Sequence, residues 1–296
     1  MSGRADGVEL THLRVLAALA EEGTFTDAGI RLGMSQPAVS RALSRFETVL
    51  GVQLVRRTTR SLTLTEAGAA CYRAALEVLR GVDAVVAAAE GLPVPLRLGF
   101  SWAAFGRHTS DILRAWRELH PEVPLEVHRV DDRSAGLANR SVDVAISRDV
   151  VADPALQVEP VFREGRMAAV PRDSVLAQRS ALTLADLLGE AIVLVPAIGT
   201  TTLDLWPVGA RPDRVVEVTN TDEWLMAIAS GEAVGVTPES TPTQHPHPGV
   251  RFVPLPDAPW LTVSLVWRRE LRHPALADFV AVVHDCIGPL GPAPAG

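Results

Sequence analysis

Residues 35–47 read SQPAVSRALSRFE. Laid on a helix, Val39, Leu43 and Phe46, with Leu50 just beyond, step by four, three and four. That spacing makes one apolar stripe facing a core. Gln36, Ser40, Arg41, Ser44 and Arg45 fall away from the stripe and point outward. Ser35 suits the N-cap, and Pro37 sits in the first turn, where its missing N–H costs no hydrogen bond. Short hydroxyls let such a helix approach a surface closely. Gln and Arg can donate to base edges and phosphates. The stretch therefore reads as a helix packed on one side and fitted to nucleic acid on the other.

The flanking sequence supplies partners for that helix. Residues 10–22, LTHLRVLAALAEE, place Leu10, Leu13, Leu16, Ala17 and Ala20 at helical spacing, and Gly23 ends the run. In TFTDAGIRLG, Thr24 or Thr26 can cap a second helix that Gly33 terminates. Two helices joined by a tight turn, the second with a polar face, are what a helix-turn-helix reader requires. Downstream, QLVRRTTRSLTLT reads as two short strands around a basic turn, a wing able to lie on the DNA backbone. Between residues 31 and 60 six arginines stand against the single Glu47, a net +5 in a chain of formal charge -7. A charge run alone is ordinarily a solvated face. Here its confinement to these elements points to one small phosphate-binding surface.

Residues 8–68 resemble the winged helix-turn-helix of LysR-type transcriptional regulators. The matching pieces are the L-x-x-L opening, GTFTDAGIRLGMSQPAVSRALSRFETVLGVQLVRR and LTLTEAG. The resemblance implies that Gln36, Pro37, Ser40 and Arg41 meet the operator, with Arg56 or Arg57 in the wing. The DNA-contacting set expected from face and resemblance together is Ser35, Gln36, Pro37, Ser40, Arg41, Ser44, Arg45, Arg56, Arg57 and Arg60. Two departures stand out. Gly29 occupies a position where Ala is usual, which should soften the second helix by up to about 1 kcal/mol. Val55 replaces the usual Phe of the wing.

Residues 66–91 form one long helical pattern in which Cys71, Ala75, Val78, Val82, Val85 and Ala89 recur at four-three spacing. That is a heptad seam, suited equally to a core or to a second copy of the helix. Its place between a DNA reader and a separate domain favours pairing, and in the resembled family such a linker makes homodimers. The oligomer expected is a homodimer or homotetramer. Cys71 reads as a small seam residue rather than a redox sensor.

From residue 92 onward short apolar strands alternate with helices: LRLGF, PLEVHRV, VDVAISR, RMAAVP, AIVLVP, RVVEV, GVTP and VSLVWRR. Helices are expected over 103–122, 134–140, 182–189, 222–231 and 274–288. The alternation argues an α/β fold with mostly parallel sheets. The resembled family has here a two-lobed, periplasmic-binding-protein-like effector domain. The fold expected is thus an N-terminal all-α winged helix-turn-helix (1–65), a linker helix (66–91) and an α/β two-lobed effector-binding domain (92–296). Its first lobe spans about 92–162 and 268–296, its second about 163–267.

Ligands of such folds bind where strand C-termini meet helix N-termini in the cleft. That rule selects Ser101, Trp102, Asp131 and Asp132 from one lobe, and Thr200, Thr201, Thr202, Asn220 and Thr221 from the other. Free N–H groups at helix starts favour an anion, such as a small organic acid. Asp131 and Asp132 pull toward an amine or polyol.

Enzyme chemistry has little to stand on. No GxSxG elbow, phosphate-binding Gly-rich loop or CxxC occurs. Cys71 and Cys286 make no disulfide framework, and the HPHP of His245 and His247 reads as a solvated turn without metal-ligand spacing. No cofactor or metal is expected. The polar N-terminus and the absence of a long apolar run indicate a cytoplasmic protein without a membrane span. The expected partners are double-stranded promoter DNA and a small-molecule effector. The alternative is a solute-binding protein without DNA function, which a signal peptide would have favoured.

Overall fold

The computed structural model describes residues 7–57, 62–148, 153–270 and 273–290. The chain divides into two compact units, Met1–Val94 with Ala138–Ser141, and Pro95–Leu137 with Val142–Gly296.

The first unit begins with α1 (Leu10–Glu22), α2 (Phe25–Leu32) and α3 (Gln36–Leu50). Each ends on a left-handed glycine, Gly23, Gly33 and Gly51. Thr24 caps α2 by accepting the Asp27 N–H at 3.1 Å. Ser35 holds the N-cap position of α3, but its side chain makes no capping bond. Val39, Leu43 and Phe46 are buried against Leu13, Leu16 and Leu19 of α1 and Ala28 of α2. A Cβ on Gly29 would lie 2.7 Å from the Met34 carbonyl oxygen. The turn between α2 and α3 closes so tightly that the glycine is required for it. The expected softening misjudged this position.

Strands β1 (Val55–Arg57) and β2 (Leu62–Leu64) pair antiparallel, and α4 (Glu66–Glu90) follows under a Thr65 cap. Gly68 lets α4 abut the start of the wing, for a Cβ there would meet the Leu54 carbonyl at 1.9 Å.

The second unit has two lobes. In the first, β3 (Leu96–Phe100), β4 (Leu125–Arg129) and β5 (Val144–Ser147) run parallel. Strands β6 (Leu156–Glu164) and β12 (Leu261–Arg268) complete a five-stranded sheet of order β4-β3-β5-β12-β6. Strand β12 is antiparallel to both of its neighbours. Helices α5 (Thr109–Leu119) and α8 (Leu276–Ile287) cover it through Ile112, Trp116 and Phe279, the last two rings meeting edge-on at 5.4 Å. In the second lobe β7 (Arg166–Pro171) lies between β10 (Gly235–Pro238) and β11 (Val250–Pro254), all antiparallel. Strands β8 (Ala191–Leu194) and β9 (Arg214–Glu217) are parallel and join through the Ile192–Val234 bridge. Helix α6 (Thr221–Ala229) packs Trp224 and Ile228 into this lobe, and α7 (Thr241–Gln244) is one turn.

Several expectations are corrected. Among the described residues six of the ten strands of the second unit have an antiparallel neighbour, so the sheets are not mostly parallel. Residues 134–140 form turns with Ala135 and Arg140 at positive φ, and 182–189 hold only a 3-10 turn at Leu184–Leu187. Leu119 is exposed rather than on the packed side of α5. That helix starts at Thr109, because Ala103 and Ala104 are left-handed (φ 48 and 38) and cannot continue it. The return to the first lobe lies before Leu261, not near 267.

Candidate nucleic-acid interface and ligand cleft

On α3, Gln36, Pro37, Arg41, Ser44 and Arg45 are exposed, as is Ser35 before it, and Ser40 is half-buried. Arg41, Arg45, Ser40, Ser44 and Thr48 line a groove with Glu9 and His12 at the start of α1. Ser44 donates to the Ser40 carbonyl at 3.0 Å, and Thr48 to the Ser44 carbonyl at 2.8 Å. These back-bonds hold the hydroxyls flat on the helix and keep its outer face low. His12 was not foreseen. It is buried, stacks on Phe46 at 5.4 Å, and its Nδ1 accepts the Glu9 N–H at 3.2 Å.

Glu47, the lone acid of the basic stretch, turns toward the wing rather than out with the arginines of α3. Its Oε1 accepts the N–H groups of Leu54 and Val55 at 2.8 and 3.3 Å, fixing the wing to the recognition helix. Arg56 is exposed on β1, Arg57 lies in the same strand, and Arg60 falls outside the described residues. Arg31 leaves the basic patch, because its guanidinium pairs with Glu21 and Glu22.

The heptad stripe of α4 is divided. Cys71 and Ala75 pack into the head core. Val78 and Val85, with Val86 beside them, are 49%, 70% and 49% exposed. Burial pushes the Cys71 thiol above its ordinary pKa, so it holds little thiolate.

In the cleft between the two lobes, the structure brings four of the nine expected residues together. Ser101, Trp102 and Thr200 border one void, and Trp102, Thr200 and Thr201 border another; each void is about 10 Å³. The Trp102 indole fills the space between them. It stands edge-on to Trp224 at 5.6 Å, lies 5.9 Å from the His245 ring, and donates to the Thr241 hydroxyl at 2.8 Å. The other five make bonds of their own away from these voids. Thr202 caps a 3-10 turn, Asn220 caps α6, and Thr221 accepts from the Arg129 guanidinium at 2.9 Å. Asp131 also pairs with Arg129, and Asp132 closes the turn at Ser134.

The loop after β3 is held by a residue that the motif reading passed over. The Arg148 guanidinium donates to the Trp102 and Ala104 carbonyls at 2.7 and 2.9 Å. Its Nε donates to Glu164 at 2.6 Å, and this ion pair is 3% and 6% exposed. Glu164 in turn accepts the Ser240 N–H at 2.9 Å. Left-handed non-glycine residues cost of order 1–3 kcal/mol each, so Ala103 and Ala104 depend on such anchoring. His245 is no solvated turn: burial first, and Arg129 next, hold its imidazole below the ordinary value, against a smaller pull from Asp222. An arginine ending an apolar strand and a histidine beside prolines carry no spacing signature that would have revealed either.

Among the described residues no cluster of three or more metal-ligating side chains occurs, and no helix is long and apolar enough to cross a membrane.

The chain matches the model of the bacterial regulatory helix-turn-helix protein, lysR family, over residues 10–69. It also matches the LysR substrate binding domain over residues 89–286. It is 28% identical to the transcriptional regulator BenM of Acinetobacter baylyi, over 90% of this chain and 91% of that one. It is 36% identical to the regulator YnfL of Escherichia coli, over 65% and 68%. Among solved structures, the LysR family regulator CbnR superposes with TM-score 0.69 at 24% identity, over 95% of this chain and 100% of that one. CbnR in complex with its target DNA gives 0.67 at 24% identity, over 94% and 100%.

Proposed function

We propose, given that this chain belongs to the LysR family of transcriptional regulators, how its own residues perform that family's task. The protein is a DNA-binding transcriptional regulator whose promoter binding answers to a small-molecule effector. In our reading α3 enters the major groove. Gln36 and Arg41 donate to base edges, Ser40 and Ser44 allow the close approach, and Ser35, Pro37 and Arg45 complete the face. Arg56, Arg57 and Arg60 bring the wing to the phosphates. Helix α4 pairs with its copy through Val78, Val82, Val85 and Ala89, so that two heads meet successive half-sites as a homodimer or homotetramer. The cleft around Trp102 and Thr200 receives the effector. Arg129 beside Thr221 suits an anionic group, as on a small organic acid. We read the chain as a cytoplasmic regulator without catalytic activity.

The observation that carries this reading is the outward face of α3: exposed Gln36, Arg41 and Arg45 above a fully buried Val39–Leu43–Phe46 stripe. Arg41→Ala is expected to weaken operator binding by about 1–3 kcal/mol and relax base preference at one position. Electrophoretic retardation across a salt series, on the matched and single-base-changed operator, measures both. An unchanged affinity and unchanged preference would remove Arg41 from the interface.

A further inference from the structure

The two voids around Trp102 and Thr200 leave no room for an effector. At about 10 Å³ each they hold at most a single water, whereas small-molecule pockets measure roughly 300–1,000 Å³. The occupant is the chain's own Trp102. Its ring comes from the first lobe yet packs among residues of the second, Val193, Val195, Ile198 and Trp224. We propose that the effector is a flat heteroaromatic molecule with a ring N–H donor, which takes the seat of the Trp102 indole and turns that side chain out. The inference rests on the reading of this cleft as the effector site.

The seat itself dictates the chemistry. The Trp224 ring stands perpendicular to the Trp102 ring at 89°, and His245 closes a second side. A flat π-system is what this geometry accommodates. At its polar end stands the buried Thr241 hydroxyl, which accepts the indole N–H and lies 2.6 Å from the Thr237 hydroxyl. Losing the donor would leave this hydroxyl pair short of a partner in a dry site, a costly state. A replacement must therefore bring a donor to the same point. The loop that carries Trp102 stores strain that a rearrangement would release, since Ala103 and Ala104 occupy the left-handed region next to it. Its exit would also be felt elsewhere. Arg148 grips the Trp102 and Ala104 carbonyls together with Glu164, the last residue of β6 before the chain crosses to the second lobe. Ring displacement thus loosens bonds at the crossing.

The test uses the full chain labelled with 5-fluorotryptophan and read by fluorine NMR. Its six tryptophans give six resonances, and that of Trp102 is identified by its absence in Trp102→Phe. The probes are indole and benzothiophene, which has the same shape with sulfur in place of the N–H. Indole is expected to move the Trp102 and Trp224 resonances and leave that of Trp116, in the first-lobe core, in place. Benzothiophene is expected to need about tenfold more, the worth of one buried hydrogen bond. Thr241→Val should erase that preference and Thr241→Ser should keep it. A Trp102 resonance unmoved by indole up to its solubility overturns the proposal, as does equal action of the two probes on the unsubstituted chain. Operator retardation on the same sample separates the two readings. If DNA is bound while Trp102 stays put, only this inference fails; if no DNA is bound, the regulatory reading fails by itself.

Discussion

At the scale of single residues, environment overrode type. Gly29 illustrates this in the head. Intrinsic propensity says that Ala there should stabilise α2, but the Met34 carbonyl occupies the space a methyl would need. Gly29→Ala is therefore expected to destabilise the protein by about 1–3 kcal/mol, the usual cost of overpacking, as measured by urea denaturation. A gain in stability would mean that the turn can open. His245 illustrates the same in the effector unit. Its depressed pKa means the folded state resists the proton, so its contribution is complete above the ordinary value of 6.5 and is lost as pH falls below it. His108, lowered chiefly by burial and then by Arg107, acts in the same sense. Thermal unfolding from pH 8 to pH 5 should therefore fall less steeply in His245→Gln than in the parent, with His108 supplying the remainder. Equal slopes would show that the imidazole takes up its proton without loss. The outward residues of α3 were legible because helical phase alone places them. Trp102, Arg148 and His245 were not legible as a cluster, since Arg148 and His245 reach Trp102 from 46 and 143 positions further along the chain.

At the scale of elements, legibility followed periodicity. Helices α1 to α4 and strand β3 were readable because apolar spacing marks them and, in the helices, a left-handed glycine ends each one. Strand β6 escaped notice. Its QVEPVFRE is polar, interrupted by Pro160, and half-buried along an edge, so no alternation signals it. The 134–140 and 182–189 segments carry helix-forming letters but lack the length to nucleate a helix without packing. Helix α4 shows how one pattern can serve two purposes. Its first stripe residues, Cys71 and Ala75, are taken by the head core, so the surface left for a second copy begins at Val78. Val85→Asp places a charge in that surface. It is expected to raise the dimer dissociation constant at least tenfold, about 1.4 kcal/mol, as read by sedimentation equilibrium. An unaltered self-association would exclude this face from pairing.

At the scale of the whole molecule, the Arg148–Glu164 pair places two charges in the dry interior of the effector unit. Each partner alone would be a stranded charge. Arg148→Ala is expected to lower the stability of that unit by about 3–5 kcal/mol, whereas Arg148→Met with Glu164→Leu should recover only part of it, because the Trp102 and Ala104 carbonyls and the Ser240 N–H still lose their partners. Chemical denaturation followed by tryptophan fluorescence distinguishes the two, because all six tryptophans lie in the effector unit. A single substitution without effect would mean that water reaches the pair. The five-stranded sheet of the first lobe is open, and an open sheet offers its outermost strand to any passing chain. On one side that strand is β6, where Pro160 supplies no N–H and the register with β12 slips at Val263/Ser264. On the other it is β4, studded with Glu126, His128 and Arg129. A missing donor, a bulge and a row of charges are the means by which sheets avoid fibrillar, edge-to-edge growth. The proline that hid β6 in the sequence thus guards a protein against clumping with its own kind in a crowded cell.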